Sequence, residues 1–245
     1  MENTIEPRED TFSNARVLAL DTLRGITVLS MCAFHVAYDL AYIFEIPIPW
    51  FTQGIFQDIW RSSISWTFLF LAGWTSGFSK SNFKRAVKYG LCSMAIFIIT
   101  SFAKVDTPIS FGILFCMAAS TLIASLLDRC VLPGKLCSVL AVVGAILFLA
   151  FQGIPEQIYE FRGLEWLGFP SEGFYSGDYY PLLPYSLLFM SAYFAQRAHS
   201  LFRYGYPAWS FQDYCPLITW IGQHSLQIYL IHQPLALLVL MLVLY

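Results

Sequence analysis

Charge is scarce in this chain. Asp, Glu, Lys and Arg make up 12 % of its 245 residues, about half the roughly 25 % of an average soluble domain. Apolar residues account for 57 %, and mean hydropathy is +0.59. So little charge cannot cover the surface of a water-soluble globule. A basic excess is missing too. The formal net charge is −2, which leaves no positive field to hold a nucleic-acid backbone and excludes DNA and RNA as partners. The six cysteines (Cys32, Cys92, Cys116, Cys130, Cys137 and Cys215) contain no CxxC pair. No zinc-type ligand spacing follows, no metal is expected, and all six read as small packing residues. The polar start is not followed by a small-residue cleavage pattern, so no signal peptide is expected. Internal repeats, low-complexity stretches and long linkers are absent as well.

Long apolar runs take their place. A bilayer-spanning helix needs about 20 mostly apolar residues, and segments 18–44, 62–78, 87–103, 109–127, 136–151, 182–196 and 217–244 meet that description. The reading is an all-α integral membrane protein, a bundle of about seven transmembrane helices. Basic loops stay on the cytoplasmic side. Seven spans put Arg8, Arg16, Arg24, Lys80, Lys84, Arg85, Lys88, Arg129, Lys135, Arg197 and Arg203 inside, and only Arg61, Lys104 and Arg162 outside. Residues 1–16 then form a cytoplasmic polar tail and 17–245 a single transmembrane domain. The domain is multi-pass in the lipid bilayer of an inner (plasma) membrane, with the N-terminus cytoplasmic and the C-terminus external.

The longest loop, 152–181, lies outside in this scheme. It carries Glu156, Glu160, Glu165, Glu172 and Asp178 among aromatics that include Tyr159, Trp166, Phe174 and Tyr180. Carboxylates beside aromatic faces suit a carbohydrate or amine ligand, with Tyr180 a candidate contact; an interfacial aromatic belt is the alternative.

Ionisable groups at membrane depth are costly and mark functional or tightly paired sites. The first span holds Asp21, Arg24, His35 and Asp39. At helical geometry the step from Arg24 to His35 leaves about 20° of rotation and roughly 16 Å of rise, and Tyr42 returns to the direction of Arg24. A polar stripe therefore runs up one face. Arg24, with Asp21 beside it, can hold a phosphate or pyrophosphate at the inner mouth. His35, near the midplane, can take a proton from an attacking hydroxyl or amine and return it to a leaving thiolate. Asp39 can orient that imidazole. A purely structural network, Asp21 with Arg24 and His35 with Asp39, uses the same residues.

The string Arg16-Val-Leu-Ala-Leu-Asp21-Thr-Leu-Arg24-Gly25, continued by Met31 and His35-Val-Ala-Tyr38-Asp39-Leu40, resembles the opening of the transmembrane acyltransferase superfamily. Phe68-Leu-Phe-Leu-Ala-Gly73, Phe111-Gly112-Ile-Leu114, Asp178-Tyr-Tyr-Pro181-Leu-Leu-Pro184 and Ile221-Gly222-Gln-His224-Ser225-Leu-Gln-Ile-Tyr229-Leu-Ile-His232-Gln-Pro234 extend the likeness to the end of the chain. Together they resemble most the small bacterial relatives of the heparan-alpha-glucosaminide N-acetyltransferase catalytic domain. The resemblance implies transfer of an acyl group from cytoplasmic acyl-CoA, usually acetyl-CoA, to an extracytoplasmic glycan or other acceptor. In the O-acetylase branch an Arg-Gly and a histidine further up the first helix are the essential pair, and they match Arg24 and His35. The lysosomal enzyme's proposed catalytic histidine lies in the following loop, whereas residues 43–60 here contain none.

Three more histidines enter the reading. His232 can line the same cavity as His35, as a substrate contact or as an interhelical hydrogen bond. His224 suits a cap at the start of the last span. His199, with Arg197 and Arg203, offers either a CoA 3′-phosphate site or screened surface charge. A proton-coupled small transporter using His35 and Asp39, and a non-catalytic envelope-assembly subunit, are the rival functions. The second to sixth spans offer the relay no partner carboxylate. Oligomeric state is open.

Overall fold

The computed structural model describes residues 16–103, 107–202 and 204–244. The cytoplasmic-tail assignment up to residue 15 and the sidedness of Lys104 and Arg203 lie outside the described residues. Helices dominate: α1 (Leu18–Tyr38), α2 (Pro49–Thr52), α3 (Phe56–Ser76), α4 (Asn82–Ala103), α5 (Ile113–Leu127), α6 (Gly134–Ala150), α7 (Leu182–Leu201), α8 (Pro216–Gln223) and α9 (Ser225–Leu244). Among the described residues the only β-type pairing is an isolated bridge between Tyr159 and Ser171.

Four helical stretches are long and apolar enough to cross a bilayer: Leu18–Ile43, Asn82–Ala103, Gly134–Glu156 and Ser225–Leu244. Helices α4, α6 and α9 present apolar side chains such as Leu91, Ile99, Ile146 and Leu242 outward, as a lipid-facing helix must. By contrast α7 is an inner helix, packed on α3, α5 and α6. It buries Phe189, Ala192 and Tyr193 and has less need of an apolar exterior.

Three sequence readings are corrected here. The second proposed span, 62–78, falls on α3, which begins at Phe56 and ends at Ser76. The last span is two helices, because α8 stops at Gln223 and α9 restarts at Ser225, with His224 between them. Of the six cysteines, Cys116 and Cys137 are buried packing residues, but Cys130 and Cys215 are exposed.

Helices α1 and α8 cross backbone to backbone. A Cβ placed on Gly25 would lie 2.0 Å from the Ile218 carbonyl oxygen, and one on Gly222 would lie 1.8 Å from that of Asp21. Only hydrogen fits at either position. The hydroxyls of Thr22 and Thr219 meet at 2.9 Å in the same crossing. At the opposite end of the bundle the loop before α7 closes over the start of α5. The Asp178 carboxylate accepts the Ile113 N–H at 3.1 Å, and Tyr180 N–H bonds the Phe111 carbonyl at 2.9 Å.

Gly222→Ala should force α8 away from α1 and cost about 1–3 kcal/mol of stability. Thermal unfolding of the detergent-solubilised protein checks this; an unchanged midpoint would mean that the crossing is not tight.

Candidate functional site

The first turns of α1 hold one carboxylate between two guanidinium groups. Asp21, 4 % exposed, accepts Arg24 Nη1 at 2.8 Å and Arg16 Nη2 at 3.0 Å, and is also bonded by Arg16 Nε. One negative charge shared by two positive ones leaves a net cation at the mouth of a cavity of about 1180 Å³. Lys80, Arg85 and Lys88, from the corner between α3 and α4, line the same cavity. Arg85 donates to Thr75 Oγ1 at 3.2 Å and to Ser76 Oγ at 3.3 Å, and among the described residues no ion pair joins it to a carboxylate. Its charge is available to a ligand. The inner wall is apolar, with Phe68, Leu114, Met117, Leu226 and Tyr229, while Tyr204, Tyr206 and Phe211 supply aromatic faces. Such a chamber suits a large, partly apolar, polyanionic molecule.

The basic residues of the α3–α4 corner are the functional feature that sequence reasoning missed. Their signal was visible, since Arg85 and Lys88 sit three residues apart at the start of α4, but they served only to establish sidedness. Of the His199, Arg197 and Arg203 group, read as a 3′-phosphate site or as screened surface charge, Arg203 lies outside the described residues. Arg197 is engaged with Asp128 at 3.3 Å and lies over the Tyr193 ring, and His199 is packed against Trp74 and Tyr206. Neither lines the cavity.

Tyr229 lies on the cavity wall with its ring 5.7 Å from that of His232, but neither His35 nor His232 lines the cavity itself, contrary to the expectation that they share it. His35 of α1 and His232 of α9 face each other with ring centroids 4.8 Å apart. His35 also meets the edge of Phe34, which is packed in turn against Phe51 and Trp60. Asp39 is fully buried, and its Oδ1 accepts the Gln233 amide at 2.7 Å. The structure thus brings His35, His232 and Asp39 together at the α1–α9 contact, and Arg24 and Asp21 together at the cavity mouth.

Tyr42 is elsewhere. Residues Asp39–Ile43 form a π-helical turn closed by Phe44 N–H onto the Asp39 carbonyl at 2.9 Å. The wider turn breaks the α-helical arithmetic that aligned Tyr42 with Arg24. Tyr42 is 47 % exposed and bonds Gln57. Tyr180 is buried at the other end of the bundle, its ring 4.8 Å from that of Tyr185. His224 lies between α8 and α9, stacked on Trp220.

Comparison with protein families finds one described as heparan-alpha-glucosaminide N-acetyltransferase, catalytic, which matches residues 16–234. Comparison with the curated proteins and with the solved structures finds no match.

Near Tyr180, burial pushes the Asp178 carboxyl up to about 6, against the opposing pull of the Ile113 N–H and the Arg61 charge. A raised carboxyl value means that the folded protein disfavours the ionised form. The contribution to stability is therefore full below the unfolded value of 3.8 and is lost as pH rises through about 6. Asp178→Asn keeps an acceptor for the Ile113 N–H but cannot ionise. The thermal midpoint of wild type relative to this variant should fall between about pH 4 and pH 7; a constant or rising difference would contradict the assignment.

Proposed function

The chain belongs to the heparan-alpha-glucosaminide N-acetyltransferase catalytic family, a family of membrane acetyltransferases. From that premise we propose that it moves an acetyl group from cytoplasmic acetyl-CoA to an acceptor, a glycan or another amine or alcohol, on the far side of the membrane. The observation that carries the reading is the cation-rich cavity of Arg24, Lys80, Arg85 and Lys88, whose one carboxylate among the described residues, Asp21, is already engaged. Arg24 and Arg85 are placed to bind the phosphates of the donor, and the apolar wall of Phe68, Leu114 and Met117 to receive its pantetheine arm. Seven crossings, with the start of α1 in the cytoplasm of a plasma-membrane protein, open this cavity to the compartment that supplies CoA.

In this reading His35 takes the proton of the acceptor N–H or O–H as the nitrogen or oxygen attacks the thioester carbonyl. The carbon–sulfur bond breaks, and the same proton passes to the leaving thiolate. Binding and chemistry are thereby assigned to different residues, and kinetics can separate them. Arg85→Ala should weaken CoA binding about 10- to 100-fold, the worth of a charge-assisted hydrogen bond, and raise KM for acetyl-CoA with little change in kcat. His35→Ala should bind CoA normally and lose at least about 100-fold in turnover. Titration calorimetry and radiolabelled acetyl-CoA turnover in lipid nanodiscs measure both. Equal turnover in wild type and His35→Ala would overturn the catalytic assignment. Proton flux in liposomes without CoA binding would instead support the transporter.

A further inference from the structure

The histidine pair carries a second assignment, which rests on the transferase reading for its kinetic meaning but not for its geometry. His232 Nδ1 lies 2.7 Å from the carbonyl oxygen of Tyr229. A carbonyl can only accept a hydrogen bond, so Nδ1 carries the hydrogen and the lone pair of the neutral ring sits on Nε2. That Nε2 is buried and has no hydrogen-bond partner. An acceptor left unmet away from water is costly, and the imidazole of His35 is packed on this ring, with centroids 4.8 Å apart and planes at 59°. Two imidazoles joined by an N–H···N hydrogen bond have centroids about 5 Å apart at ordinary donor–acceptor distances. The spacing for such a bond is already present, and rotation of the His35 ring completes it while the Tyr229 carbonyl holds that of His232.

We propose that His232 is the positioning partner of His35: its Nε2 accepts the hydrogen bond from one ring nitrogen of His35, so that the other nitrogen of His35 is the bare base. The backbone carbonyl of Tyr229 fixes the His232 tautomer, and the role of orienter falls to a neutral imidazole. Asp39 acts at one remove. Its Oδ1 bonds Gln233, the residue after His232, and this latch sets the register of α9 against α1 and hence the separation of the two rings. When the acceptor attacks, its proton goes to the bare nitrogen of His35. The resulting imidazolium is held by the hydrogen bond to His232 until the proton passes to the CoA sulfur. His232 gains and loses nothing over the cycle.

Full-length protein labelled with [15N]histidine in nanodiscs tests the pairing without any turnover. Wild type should show two histidines with a protonated Nδ1 and an unprotonated Nε2, His224 on the Trp220 carbonyl and His232 on that of Tyr229; the second should be lost in His232→Gln, and the His35 resonances should move in that variant. Kinetically, His232→Ala and His232→Gln should lower kcat at least about tenfold, with KM for acetyl-CoA and CoA binding unchanged. Added imidazole should restore part of the activity of His232→Ala. His35 resonances indifferent to His232→Gln, or a raised KM at unchanged kcat, would overturn the proposal. If wild type shows the ring coupling but no acetyl transfer, the pairing stands and the transferase reading falls; normal turnover in His232→Gln with unmoved His35 resonances has the reverse meaning.

Discussion

The contact of two bare backbones, where α1 crosses α8, is the constraint on which the rest of the arrangement depends. Hydrogen at Gly25 and Gly222 lets the chains approach to a distance that no other residue type permits. Helix association in lipid depends on such close approach, since apolar burial adds little when the surrounding solvent is itself apolar. Two consequences follow from this one contact. Asp21 is pressed under α8 and shielded, which makes its pairing with Arg16 and Arg24 tight and turns Arg24 towards the cavity. The chain then bends at His224 and sends α9 back along α1, bringing Gln233 to Asp39 and His232 to His35.

The parts legible in the sequence were those with a large energetic signature. Charges inside an apolar run stand out because they are expensive, and Asp21, Arg24, His35 and Asp39 were visible for that reason. The long apolar helices were visible because lipid demands long runs. What escaped has a smaller or non-local signature. The break at His224 leaves hydropathy unchanged across 217–244 and costs only a few hydrogen bonds. The π turn at Asp39–Ile43 adds one residue to a helical turn, and no composition rule marks it. It displaced Tyr42 from the stripe on which simple periodicity had placed it. Arg85 was counted among the basic residues, but its inward role depends on Thr75 and Ser76, supplied by a different helix. His232 had been singled out, yet its neighbour lies almost the whole chain away.

The two ends of the bundle are electrically unlike. At one end guanidinium and ammonium groups outnumber their carboxylate and face an open chamber. At the other, the Asp178 carboxyl lies within the loop before α7 with its charge disfavoured by burial, and Tyr180 is buried two residues further on. A polyphosphate is drawn to the first end and gains nothing at the second. Between them the rings of His35 and His232 meet at the α1–α9 contact, where the buried Nε2 of His232 carries a desolvation cost that a neighbouring N–H would relieve. Low dielectric strengthens a hydrogen bond that water would weaken, so a paired imidazole is favoured at the helix contact and solvated cations at the cavity rim.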